Sequence, residues 1–304
     1  MKKWLLRFAQ LALTVLVTWF IAQRLGLDLA ELKELDASTW RPNWMVFVVS
    51  CLVLLSGNLL SGMLWGRVVS DLSGVALPAR EAVRIFLVAN LARYLPGKLW
   101  QLAGLAVLAS RRGVPVSAAT ASAIVAHGAS LTAASVFGAL VFVGGRASGQ
   151  SGLVWVPVVL LGASLVALIP PVFRRLLRLA MRMGLDVPAE QLGPMRVLGW
   201  LGLFLLQWIV YGWSFFWLAR SFGLQGSALE LSAAFVAAYV LGYVALFAPA
   251  GIGVREVALT GLLTPAMGAP AAAGLSIIAR VWSTAVEVIP AAVLWSGEIN
   301  PKRR

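Results

Sequence analysis

Arg93, Lys98, Arg255, Glu256, Arg280 and Glu287 lie within stretches that are otherwise apolar, with Asn90, Gln101 and His127 as polar neighbours. Moving a charge out of water into such surroundings costs about 3 kcal/mol or more, so each is a candidate functional position. Four cations stand against two carboxylates. That excess predicts affinity for an anion, such as the phosphate of a lipid head group. Arg93, Lys98, Arg255 and Arg280 would hold the head group, with Asn90 and Gln101 beside them, while Glu256 and Glu287 set their charge and geometry. Arg280 and Glu287 are two helical turns apart and share one helix face. The competing arrangement is structural: Arg255 pairs with Glu256, Arg280 pairs with Glu287, and the charges merely glue helices together.

Other chemistries find little support. His127 is the only histidine and Cys51 the only cysteine. A metal ligand set cannot be assembled from them, and an intrachain disulfide is impossible. Cys51 reads as a packing residue, and a lone histidine in a small-residue helix reads as hydrogen-bonded and packed. No nucleotide loop, G-x-S-x-G elbow or H-E-x-x-H pattern occurs. The sequence therefore predicts no catalytic residue, no metal and no cofactor. Asp28, Glu31, Glu34 and Asp36 could serve a membrane glycosyltransferase. Interleaved with Leu25, Leu27, Leu29, Leu32 and Leu35, they fit a short interfacial helix better.

Two breaks position the charges. Arg93-Tyr-Leu-Pro-Gly-Lys98 and Phe247-Ala-Pro-Ala-Gly-Ile-Gly-Val-Arg-Glu256 each interrupt an apolar run. Pro96 and Pro249 should stop an arriving helix, and Gly97, Gly251 and Gly253 let the chain turn back. The two prolines are about half of the 304-residue chain apart. Paired interruptions in two halves mark the binding site of many secondary transporters.

The elements that carry these breaks are membrane helices. Hydrophobic residues make up 60% of the chain, charged residues 12%, and the mean hydropathy is +0.88. A net charge of +13 would suit nucleic acid. The basic residues instead flank apolar spans, where they set orientation and meet anionic lipid, so no nucleic-acid partner is expected. Trp4–Ala22 reads as an uncleaved first span. Trp44–Val69, Ser117–Val143, Leu153–Phe173, Val197–Leu218 and Ala271–Trp295 are the further spans. The second contains Gly62-Met-Leu-Trp-Gly66, a site of ordinary close packing. The third, rich in Ala, Ser and Gly, should be tightly surrounded by protein. The fifth has an aromatic end running from Trp208 to Trp217.

Ala82–Leu95 and Lys98–Ser110 are about 21 and 20 Å long as helices, too short for a hydrocarbon core of about 30 Å. They form a hairpin that enters and returns to the same side. Leu231–Phe247 and Val254–Leu263 form a second. The rival topology has Leu231–Phe247 cross completely. With the N-terminus in the cytoplasm, the hairpin topology puts most of the 25 Lys and Arg on the inner side, the sign the positive-inside rule requires. The fold class is thus all-α polytopic: six spans and two re-entrant hairpins, arranged as an inverted repeat of residues 1–150 and 151–304. Both termini face the cytoplasm, and the tips meet near the midplane.

Asn90-Leu-Ala-Arg-Tyr-Leu-Pro-Gly-Lys98, continuing through Arg111-Arg112-Gly-Val-Pro-Val-Ser-Ala-Ala-Thr120, resembles the lysylphosphatidylglycerol synthase transmembrane-region family of flippase-like proteins. Ala248-Pro-Ala-Gly-Ile-Gly-Val-Arg-Glu256 is similar to that family's later Pro-Gly-Gly-x-Gly-x-x-Glu pattern, with Pro-Ala-Gly replacing Pro-Gly-Gly. Arg280 stands where the family usually has an arginine. Ala126-His127 departs from an acidic-basic pair often found in the third span. The resemblance implies movement of polar lipids between leaflets of the inner membrane, without the soluble synthase half and hence without lipid aminoacylation. The implied partners are an anionic membrane lipid and a lipid synthase or glycosyltransferase that supplies it. The alternatives are a polyprenyl-phosphate-dependent glycosyltransferase or lipid-modifying enzyme, or the membrane subunit of one, and a non-transporting recruiter of a synthase.

Overall fold

The computed structural model describes residues 40–94, 99–143, 193–245 and 248–299, with positions 158, 159, 162 and 175. The expected first span, the acidic segment after it, nearly all of the fourth span and of the basic loop behind it, Pro96, Gly97, Lys98 and the basic tail lie outside the described residues.

The described chain is helical throughout. It runs α1 (Trp44–Ser73), α2 (Ala79–Asn90), a 3₁₀ turn (Leu91–Tyr94), α3 (Leu99–Ser110) and α4 (Val116–Val143). It then continues with α5 (Pro194–Ser221), α6 (Ala228–Val244), a second 3₁₀ turn (Pro249–Gly251), α7 (Val254–Met267) and α8 (Ala269–Ile299). Local chemistry sets several of these limits. The Asn43 side chain accepts from the Val46 amide and opens α1, and Gly74, left-handed at φ +70°, closes it. Pro194 occupies the first turn of α5, where its missing donor costs nothing. Ser227 caps α6 by accepting from the Glu230 amide.

Helices α1, α4, α5 and α8 are long and apolar enough to cross a membrane. They coincide with the expected second, third, fifth and sixth spans, each somewhat extended. Of the four, α4 is the most enclosed by protein, as its small residues require. The protein is an all-α polytopic membrane protein.

The short helices fold back in pairs. α2 and α3 pack together as one hairpin, α6 and α7 as the other, and their 3₁₀ turns touch. The hairpins open at opposite ends of the bundle. At one end Asp71 of α1 accepts from the Trp200 indole of α5, and Arg112 beyond α3 pairs with Glu81 of α2 at 3.1 Å. At the other end the Asn43 amide donates to the Ser221 carbonyl at 2.7 Å, and Trp40 packs on Phe222 and against Gly274 of α8. α6 starts a few residues after Ser221, and α8 starts directly after α7.

Close backbone contacts hold the hairpins to the long helices. A Cβ on Gly62 would lie 2.7 Å from Val83 Cα, and one on Gly66 would collide with Ala82. The Gly62/Gly66 motif of α1 is therefore the seat of α2. Gly212 of α5 does the same for α6, since a Cβ there would lie 2.6 Å from Ser232 Cβ. This correspondence is general. Under the exchange of α1 with α5, α2 with α6, α3 with α7 and α4 with α8, the main helix-to-helix contacts map onto one another.

Candidate functional site

The first tip carries Arg93 and Tyr94. Arg93 Nη2 donates to both oxygens of Glu287 on α8, at 2.7 and 2.6 Å, and Nη1 reaches the Tyr239 hydroxyl at 3.4 Å. The Tyr94 hydroxyl donates to Glu287 Oε2 at 2.8 Å. The Arg93 and Glu287 side chains are only 12% and 10% exposed. This is a buried charge pair with a third donor, the arrangement in which an ion pair can offset its own desolvation.

The second tip is fastened to the same helix. Arg280 Nη1 donates to the Ala250 carbonyl at 3.1 Å, and Arg280 Nε lies 3.5 Å from Glu256 Oε1. Glu256 Oε2 accepts from the Gly253 amide at 2.5 Å. Its carboxylate thus occupies the positive N-terminus of α7. Ala250 is the one non-glycine residue with positive φ among those described, at +49°. Gly251, at φ +71°, is required by contact as well as by conformation. A Cβ there would lie 2.9 Å from both the Cα and the carbonyl oxygen of Gly242 on α6.

Neither of the ion pairs weighed from the sequence forms. Arg255 does not pair with Glu256, and Arg280 does not pair with Glu287. The pairs are Arg93 with Glu287 and Arg280 with Glu256. The shared face of α8 docks two different tips, one at each charge, instead of pairing with itself. The N-terminus of α7, at the second tip, is taken by Glu256.

Arg255 is the exception. It is 5% exposed, and no carboxylate among the described residues pairs with it. Its guanidinium stacks over Phe235 and Tyr239, at 4.7 and 5.1 Å from the ring centroids. Cation–π contacts of this kind are worth about 2 kcal/mol each when desolvated. They leave the five N–H donors without anionic partners.

Arg255 faces a cleft between the tips and α4. One compartment, about 520 Å³ counted to its open mouth, is lined by Arg255, Arg93, Gln101, His127, Tyr239, Tyr243 and the Gly242–Gly251 contact. A second, about 600 Å³, shares Arg93, Gln101, His127, Tyr239 and Tyr243 and continues to Asn90, Trp65, Gln207, Trp208 and Tyr211. Gln101 donates to Asn90 at 2.7 Å, which links the two arms of the first hairpin. His127 Nδ1 is 2.8 Å from the Ala123 carbonyl. It is packed as expected, and it also lines both compartments.

The structure brings Arg93, Arg255, Gln101 and Asn90 to the cleft and sets Glu256, Arg280 and Glu287 behind it as clamps. Lys98, Pro96 and Gly97 fall outside the described residues. Sequence reasoning missed Trp65, Gln207 and all four tyrosines, Tyr94, Tyr211, Tyr239 and Tyr243. Their scarcity in an aromatic-rich chain was the available signal. The aromatic end assigned to the fifth span is also divided. Trp213 is exposed, but Trp208 points inward and donates to the Ser130 carbonyl at 2.8 Å.

The sequence model of the lysylphosphatidylglycerol synthase TM region covers residues 7–291. No curated protein matches the chain.

Proposed function

We propose, from the premise that this chain belongs to the lysylphosphatidylglycerol synthase TM region family, that it moves an anionic, phosphate-bearing lipid between the leaflets of the cytoplasmic membrane. The observation that carries this reading is Arg255. A buried guanidinium without a carboxylate costs several kcal/mol (roughly 3–5) unless an anion completes it. It stands in a cleft where the tips of two hairpins opening at opposite ends of the bundle touch. In this reading the corresponding contacts of the two halves are an inverted repeat, both termini are cytoplasmic, and access alternates about the fixed cleft.

The test is lipid movement in proteoliposomes. Fluorescent phosphatidylglycerol is placed in both leaflets, and an impermeant quencher reports how much reaches the outside. The wild-type chain should raise the quenched fraction above the level of empty vesicles. Arg255→Gln, reconstituted in equal amount, should return it to that level. Equal movement by wild type and Arg255→Gln would overturn the proposal.

A further inference from the structure

The second compartment differs in chemistry from the first. Beyond Arg93 and His127 its wall is neutral and largely aromatic, and includes Trp65, Trp208, Tyr211 and Gln207. Besides Arg93 Nε, two buried polar atoms on that wall have no hydrogen-bond partner among the described residues: the Gln207 side-chain oxygen, an acceptor, and the Trp65 indole N–H, a donor. The two residues are 4% and 1% exposed. Buried polar atoms are nearly always satisfied, so two orphans on one cavity point to what fills it. An acceptor and a donor together match a hydroxyl, which both donates and accepts. Aromatic walls with neutral amides suit the apolar faces and hydroxyl rims of a polyol or sugar. Among the described residues lining either compartment there is no carboxylate to receive an ammonium group. The nearby Glu287 is already held by Arg93 and Tyr94.

We infer that the cleft is bipartite: Arg255 takes a phosphate, and the Trp65–Gln207 wall takes a hydroxyl-rich head group attached to it. The cargo class is then a phosphate-linked polyol or sugar lipid, not a lipid with an aminoacyl or other cationic head. This inference rests on the anion site of the proposed function and adds the identity of the group beyond the phosphate.

The experiment measures lipid binding to the purified full chain in nanodiscs by competition, with four probes. Phosphatidylinositol supplies phosphate and hydroxyls, phosphatidylmethanol supplies phosphate alone, phosphatidylethanolamine supplies an ammonium, and glycerophosphoinositol supplies the head group without a tail. Phosphatidylinositol should bind most tightly. Gln207→Leu should reduce that advantage by about five- to tenfold, the value of one hydrogen bond lost on a buried group, and leave phosphatidylmethanol unchanged. Trp65→Phe, which removes the N–H and keeps a ring, should act in the same direction if Gln207→Leu fails to fold. Equal binding of phosphatidylinositol and phosphatidylmethanol, or an advantage that survives both substitutions, would overturn the inference and leave the anion site standing. Preference for phosphatidylethanolamine would overturn it as well. Binding of no phospholipid at all would remove the anion site itself. Equal affinity for glycerophosphoinositol would keep the hydroxyl wall and overturn the lipid-transport reading.

Discussion

The Arg93–Glu287 clamp and the Arg255 site should answer to mutation in opposite ways. Arg93→Gln leaves Glu287 charged and buried, with only the Tyr94 hydroxyl at 2.8 Å to hold it. That loss should cost about 4–5 kcal/mol, the upper part of the range for stranding one partner of a buried pair. Glu287→Gln keeps one acceptor oxygen for Arg93, and Tyr239 remains 3.4 Å away; about 3 kcal/mol is expected. The double mutant strands no charge. Its loss should be about 1–2 kcal/mol, since two neutral amides can bond to each other or to Tyr94. The coupling between the two positions is then about 5–7 kcal/mol, larger than is usual for residues in contact. Arg255→Gln removes a buried charge that has no described counter-ion. Relief of that charge is offset by the loss of its two cation–π contacts, about 2 kcal/mol each, so stability should change by no more than about 1 kcal/mol, while protection by phosphatidylglycerol is abolished. The assay is reversible unfolding of the purified chain in mixed micelles, with and without added lipid. A double mutant no more stable than Arg93→Gln alone would refute the clamp. A large loss of stability in Arg255→Gln, with lipid protection retained, would refute the division of labour between clamp and site.

Further outcomes follow from the same geometry. Gly251→Leu requires a side chain at positive φ and in collision with Gly242, so the second tip should fail to close; lipid movement should fall to background while membrane insertion, read by fractionation, persists. In a Cys51→Ala background, cysteines at Arg111 and Met267 should react with an impermeant maleimide from opposite sides of the membrane, because the hairpins open at opposite ends; labelling from one side would exclude the inverted arrangement. Ala126→Glu adds a carboxylate to the wall of the second compartment; like charges about 8 Å apart repel by about 2 kcal/mol at an effective dielectric near 20, so anionic lipid binding should weaken by up to about thirtyfold in the dissociation constant.

The positions of the charges were legible because polarity inside an apolar run is conspicuous. Their pairing was not, although part of it could have been rejected from helix geometry. Neighbouring residues on a helix do not face each other, so Arg255 and Glu256 were poor partners from the start. Arg280 and Glu287 are about 10 Å apart along a helix axis, beyond ion-pair reach. What no local rule supplies is the true partner of Glu287, Arg93, which lies 194 positions away at the first tip. The hairpins were legible from the lengths of their arms together with Pro249 and Gly251. The Gly62/Gly66 motif was legible as a site of close helix packing, and the helix it seats is α2. Trp65 carried no signal in a chain with 13 Trp, whereas Gln207, an amide inside an apolar span, was open to the same reasoning that singled out Gln101. Burial without a hydrogen-bond partner is what joins the two.

The contacts of the two halves correspond, but their charges do not. Both clamps sit on α8, where Glu287 holds the first tip and Arg280 the second. The corresponding helix α4 carries no charged clamp, and it presents Ala126 and His127 to the cleft. A frame with clamps on both sides would hold the tips closed against each long helix. With clamps on one side only, the tips are fixed to α8 and the space lies toward α4, where both compartments are found. Arg255 belongs to this open side, one residue from Glu256, which the α8 clamp holds. On the proposed reading the phosphate of the cargo supplies toward α4 what the carboxylates supply toward α8, the anion that ties a cationic tip into the bundle. Occupancy of the cleft and the position of the second tip are then coupled through adjacent residues of one helical turn.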